Sequence, residues 1–184
     1  MNSTPAAESA GSELASILFN KTETPVYAVL DGASVPDLVK NLYQHEPEYC
    51  CLYRGELQPD IATVAPYLVR LEPNDEFTEL VLREGWGAHW GIFVVSLAPL
   101  RALRDHFREF HTVELPDQRT VLFRYYDPRV LRSFLPPCNA EELTQFFGPV
   151  QSYVVEGDTP EAGVRLSMVG KTLKSDPFQV KKAS

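Results

Sequence analysis

The run Ile92-Phe93-Val94-Val95 is apolar at every position and only as long as a strand. A strand of that kind has both faces covered, so this chain must place structure on two sides of a sheet. Val26 to Leu30 is a second buried strand, closed by the turn pair Asp31-Gly32. Cys50 to Tyr53 and Tyr67 to Leu71 are two more, the latter entered through Pro66 after a helical turn over Asp60 to Ala65. On an extended segment Cys50 and Cys51 point to opposite faces.

Helical patterns separate these runs. Ser34 and Asp37 have capping-box spacing with Pro36 in the first turn, and Leu38, Val39, Leu42 and Tyr43 make one apolar face. Asp75 to Glu84 is a helix with Phe77, Leu80 and Val81 inward, ended by Gly85. Ser96 caps the clearest helix, whose stripe is Leu100, Leu103, Phe107 and Phe110. Thr112 to Leu115 and Thr120 to Tyr126 flank Pro116-Asp117-Gln118, which predicts a β-hairpin and therefore a mixed sheet. Asn139 and Glu142 form a second capping box before Leu143, Phe146 and Phe147.

The expected fold is α/β with α+β character: one domain, a mixed sheet, flanking helices and a hairpin near residues 112–126. Residues 1–20 are expected as a tail with a short helix at Leu14 to Phe19, and residues 21–150 as the core. Residues 151–184 are expected as a partly ordered extension, where Tyr153 to Val155 and Val164 to Val169 are strand candidates. Residues 1–12 and the last eight read as disordered. Hydrophobic residues at 44% and charged residues at 23% fit an ordinary globular chain of 184 residues.

Net charge is −8, which argues against nucleic acid as the main partner. No apolar run approaches the roughly eighteen residues of a membrane helix, and the start lacks the features of a secretory signal. A cytoplasmic protein with reduced Cys50, Cys51 and Cys138 is expected. Residues 1–60 hold nine acids against three bases, whereas Lys171, Lys174, Lys181 and Lys182 crowd the end. That reads as a solvated acidic face and a loose basic tail, or as one end that docks on an oppositely charged partner.

The chain has no GxSxG, P-loop, GxGxxG, HExxH or CxxC motif, and no cofactor or metal is expected. His106 and His111 near a helix end read as electrostatic decoration. Gly85-Trp86-Gly87-Ala88-His89-Trp90-Gly91 reads as a tight connection roofing the core, or as a binding platform. Asp31, Glu56 and Asp60 sit near strand ends, where carboxylates shape turns, cap helices, act as acid and base, or hold a metal; Asp60 is placed to cap its helical turn. Arg124, mid-strand in Phe123-Arg124-Tyr125-Tyr126-Asp127-Pro128-Arg129, needs a partner such as Asp127 or Glu56, unless it belongs to an exposed hot spot.

Six segments together resemble a bacterial family, the domain of unknown function 4123. They are Val26 to Gly32, Leu52 to Leu57, Val64 to Val69, Gly85 to Gly87 with Trp90 to Ile92, Phe123 to Leu131, and Phe146 to Pro149. The structural positions of the resemblance include Asp31, Gly32, Glu56, Pro66, Gly85, Gly87, Asp127, Pro128 and Arg129. Members of the family are adaptor chaperones for type VI secretion effectors, the Tap or Tec proteins. The resemblance implies a non-enzymatic role: binding a secreted effector and loading it onto the spike (valine-glycine repeat) protein. Contact candidates are Tyr53, Trp86, Trp90 and Arg124. The alternatives are a small metal-dependent hydrolase using Asp31, Glu56, Asp60 or His89, and an immunity or regulatory protein that binds a toxin.

Overall fold

Strand β1 (Val26–Asp31) is buried at all six positions because its side chains alternate between two cores. Tyr27 and Val29 point to one core, and Val26, Ala28 and Leu30 to the other. The computed structural model of the chain describes residues 5–19, 24–114 and 118–180. The main sheet adds β2 (Tyr49–Cys51), β3 (Pro66–Leu71), β4 (Gly91–Val95), β7 (Ser152–Glu156), β8 (Ala162–Val169) and β9 (Thr172–Gln179). Their order is β2-β3-β1-β4-β7-β8-β9. The same two-way division runs through Ile92 and Val94 against Phe93, and through Tyr153 and Val155 against Val154. Cys50 and Cys51 also pack toward opposite cores, and burial pushes the Cys50 thiol up to about 11.

Helices cover both faces. On one side lie α1 (Pro5–Leu18), α2 (Leu38–His45) and α4 (Glu76–Gly85), through Leu14, Leu18, Leu38, Leu42, Phe77, Val81 and Leu82. On the other lie α5 (Leu100–Phe107), α6 (Pro128–Phe134) and α7 (Ala140–Phe147), through Leu103, Phe107, Leu131, Leu143, Phe146 and Phe147. Two more elements are peripheral: α3 (Pro59–Val64), and a separate hairpin of β5 (Thr112–Glu114) with β6 (Thr120–Leu122). The three-layer α+β architecture is as expected. The sheet itself is not mixed, since every described ladder is antiparallel. The hairpin stands apart from it, and Leu115, Pro116 and Asp117 of its expected turn lie outside the described residues. Among the described residues, no helix is long and apolar enough to cross a membrane.

Two helix starts differ from expectation, for one reason. Ser34 does not cap α2; its hydroxyl donates to Asp31 Oδ2 at 2.8 Å. Ser96 does not cap α5; it donates to the Pro149 carbonyl at 2.7 Å and accepts from Ala98 N–H at 3.0 Å. In each case a proline follows within three residues, and the residue before a proline is driven from helical angles. The helices therefore wait until Leu38 and Leu100. The box without such a proline forms as expected: Asn139 exchanges bonds with Glu142. Asp75, assigned no capping role from the sequence, caps α4 by accepting from Phe77 and Thr78 N–H.

The termini belong to the fold more than composition implied. Residues expected as disordered are helical from Pro5, and β9 reaches Gln179. The boundary expected near residue 150 is crossed by the sheet, because β7 pairs with β4 on one side and β8 on the other. Arg165 of β8 reaches back to donate to the Ile17 carbonyl at 2.9 Å, at the end of α1.

Both sheet edges are obstructed. Leu52 N–H and Glu48 C=O bond across to β3, so the carbonyls of Cys51 and Tyr53 face outward. Arg108 occupies both, at 2.9 and 3.0 Å, where a neighbouring strand would sit. At the far edge Val180 N–H bonds to the Glu161 carbonyl, which sets Pro177 outward. Proline has no N–H to offer an incoming strand, so the row of donors is interrupted there.

His106 and His111 are not decoration. His106 Nε2 donates to the Phe146 carbonyl at 3.0 Å. His111 stacks on Tyr125 at 5.7 Å and 18°, and burial holds its imidazole down at about 4. The unfolded chain takes up this proton first, near pH 6.5. Stability that is complete above pH 6.5 is therefore lost as pH falls toward 4. After discounting for partial solvent exposure the loss is about 2 kcal/mol. Urea melts at pH 7.5 and 4.5 are expected to differ by about that much less in His111→Phe, which keeps the stack; an unchanged difference would refute the assignment.

Candidate protein-binding site

The tryptophan loop is a braced connection. Trp86 stacks between Phe93 and Phe178, at 6.2 and 6.0 Å, and its Nε1–H donates to the Pro160 carbonyl at 2.8 Å. Trp90 lies over Gly85, where a Cβ would come within 3.0 Å of its ring. Gly87 takes φ 86 as the loop passes Pro160. His89 Nδ1 lies 2.6 Å from Glu156 Oε2, and its backbone N–H donates to Glu156 Oε1 at 3.1 Å. Burial pushes the Glu156 carboxyl up, against the pull of His89. Glu156 carried no sequence signal beyond its place after an apolar run. A carboxylate behind an imidazole is the arrangement that orients a general base. Ser133 lines the adjoining pocket with His89, but its hydroxyl donates to the Arg129 carbonyl of its own helix, at 3.0 Å.

Arg124 pairs with Asp31, and not with Asp127 or Glu56. Burial would lower its guanidinium, but the Asp31 charge and hydrogen bond outweigh that and raise it. Asp31 is buried and also accepts from Ala33 N–H at 3.1 Å. Arg124 remains 46% exposed, with its guanidinium 6.0 Å from the Tyr126 ring centre. Tyr53 meets His111 edge-on at 5.5 Å and is half-buried. Asp127 caps α6 and grips Arg129 through both oxygens, at 3.0 and 2.7 Å, with Pro128 in the first helical turn. The three carboxylates do not converge: Asp31 is paired, whereas Glu56 and Asp60 are exposed. Asp60 caps nothing; the residue before α3 is Gln58, and Asp60 lends its carbonyl to the Thr63 hydroxyl at 2.7 Å. Among the described residues, no group of three or more His, Cys, Asp and Glu is arranged to hold a metal ion.

The feature that sequence reading missed is a groove of about 550 Å³ between α2 and α3. Its floor is Val35, Leu38 and Val39, and Gly32 closes it against Thr63 and Val64. Tyr43, assigned to the inward face of α2, is 76% exposed at its rim. Val64 is 44% exposed and Ile61, one turn earlier on α3, 43%. The signal was the width of the α2 stripe, since Leu38 and Leu42 already bury that short helix.

An antiparallel sheet covered on both faces by helices, with an open groove where the turn after β1 meets α2 and α3, defines a three-layer α+β domain. The chain belongs to the family described as a domain of unknown function (DUF4123), whose model matches residues 26–145, from β1 into α7. Helix α1 and strands β7 to β9 lie outside that match. No curated protein and no solved structure matches the chain.

Proposed function

We propose that this chain is a cytoplasmic, non-enzymatic adaptor chaperone that binds a type VI secretion effector and hands it to the spike protein. The observation that carries the reading is the groove between α2 and α3, with Tyr43 and Val64 exposed along it and Ile61 exposed one turn before Val64 on α3. Apolar side chains held in water by a rigid frame gain stability when a second polypeptide covers them. The effector gains equally, because its own apolar surface is kept from aggregation until the spike replaces the adaptor. The family that the chain belongs to is the one whose resemblance implied an adaptor chaperone. Arg124 extends the candidate surface: it holds the Asp31 turn, whose next residues line the groove.

The test is co-purification of the full chain with a candidate type VI secretion effector and, separately, with the spike protein. Retention of the effector, and its transfer when spike is added, are expected. A chain that stays monomeric and retains neither would overturn the proposal.

A further inference from the structure

A handover engages two partners, and the groove offers one surface. Helix α1 precedes the residues of the family match and lies on the groove's side of the sheet. From Gly11 to Phe19 only Leu14 and Leu18 are buried, in the core that also holds Phe77, Val81 and Leu82 of α4. The rest of the contact with α4 is open. A cleft of about 560 Å³ remains between the two helices, lined from α1 by Ser12, Ala15 and Ser16 and from α4 by Thr78, Leu82 and Arg83. Helices packed to the density of a protein interior leave little such space between them. At the end of α1, Arg165 of β8 donates from Nη2 to the Ile17 carbonyl at 2.9 Å, and Ser152 Oγ holds its Nη1 at 2.9 Å. The last carbonyls of any helix lack partners and carry the negative end of its dipole, so Arg165 is placed to receive a helix end whatever its side chains. The slot on α4 thus consists of two apolar sockets and a fixed cation, and α1 fills it incompletely. A helix with the same two anchors and a bulkier apolar residue in place of Ala15 closes the cleft and binds better than α1. That difference in affinity is what a displacement requires.

We propose that α1 is a displaceable cover, and that an amphipathic helix of the effector takes its place on α4. Apolar residues four apart occupy the positions of Leu14 and Leu18, a bulkier apolar residue that of Ala15, and the last carbonyls meet Arg165. Helix α1 itself defines this chemistry, because a surface that accepts Leu14 and Leu18 accepts the same spacing from another chain. The inference deepens the adaptor reading and rests on it. The α1 helix of a second copy would leave the same cleft open, and so gains nothing over α1 in place.

The test staples α1 in place in the full chain. A Cβ on Gly11 would lie 3.7 Å from that of Arg83, within the roughly 3.5–4.5 Å that a disulfide spans, so Gly11→Cys/Arg83→Cys closes the slot on oxidation. Oxidised, this variant is expected to bind a candidate type VI secretion effector at least about tenfold more weakly than when reduced. The unaltered chain, oxidised in the same way with Cys50, Cys51 and Cys138 present, is expected to bind as before. A second variant needs no disulfide: Ala15→Leu is expected to raise the melting temperature and weaken effector binding together, because it closes the cleft from within. Amide exchange reads the displacement directly, and added effector is expected to speed exchange in Ser12–Leu18 and slow it in α4. Equal binding by the oxidised and reduced staple, undiminished binding by a stabilised Ala15→Leu chain, or α1 exchange unmoved by bound effector overturns the displacement while the adaptor reading stands. Failure of the unaltered chain to bind effector overturns both.

Discussion

Arg124→Met is expected to lower folding stability by about 3 kcal/mol, and Asp31→Asn in the same chain to restore most of the loss. The Asp31 carboxylate is 3% exposed at the end of β1. The Ala33 N–H and the Ser34 hydroxyl satisfy it in part, but Arg124 supplies the only positive charge bonded to it among the described residues. Met keeps the aliphatic stem beside Tyr126 and removes the charge, so a buried anion is left unpaired. Such a loss costs about 3–5 kcal/mol in a sealed interior; Arg124 is 46% exposed, so the lower end applies. Neutralising Asp31 removes the stranded charge and keeps an acceptor for Ala33. Urea unfolding of both single variants and the double variant closes the cycle. A loss below about 1 kcal/mol for Arg124→Met would place the pair among ordinary surface bridges.

This pair marks where sequence reading stops. Arg124, expected in mid-strand, lies two residues past the end of β6; among aromatics it plainly needed a partner, yet the one it has lies 93 positions away. Spacing brings Asp127 to mind first, and Asp127 is already occupied by Arg129. What depends on local chemistry was legible: the apolar runs that became β1, β3 and β4, the opposed cysteines, and the capping box at Asn139. Elements whose local signals conflict were not. Asp127-Pro128 is a cap followed by a first-turn proline, but its aromatic neighbours drew attention to the strand before it and α6 went unassigned. Thr172–Gln179 was likewise given no strand; it carries Lys174, Asp176 and Pro177, which a sheet tolerates at an edge. The candidate groove was the least legible of all. Tyr43, Ile61 and Val64 are ordinary apolar residues on two short helices, and only tertiary placement leaves them uncovered.

That placement depends on Gly32, and Gly32→Ala is expected to cost about 3 kcal/mol, the second large loss. Conformation is not the reason, since the added methyl group meets other backbone. Its Cβ would lie 2.5 Å from the Ala65 carbonyl oxygen, 2.7 Å from that of Thr63 and 2.9 Å from the Val64 carbonyl carbon. None of these is the far end of a flexible side chain, so α3 must move away from β1. Overpacking costs about 1–3 kcal/mol, and the 3.0 Å bond from Gly32 N–H to the Ala65 carbonyl is strained with it, worth about 1 kcal/mol more. Gly55→Ala is the comparison. Gly55 has φ 81 and open space around it, so alanine there costs only the backbone preference, about 1 kcal/mol. If close approach of main chain builds the groove, Gly32→Ala loses about three times as much stability as Gly55→Ala in urea unfolding. Faster amide exchange should then be confined to α3 and the Asp31–Ala33 turn. Equal losses for the two glycines would mean that α3 yields freely, and a groove wall that yields freely could not hold Val64 opposite Tyr43.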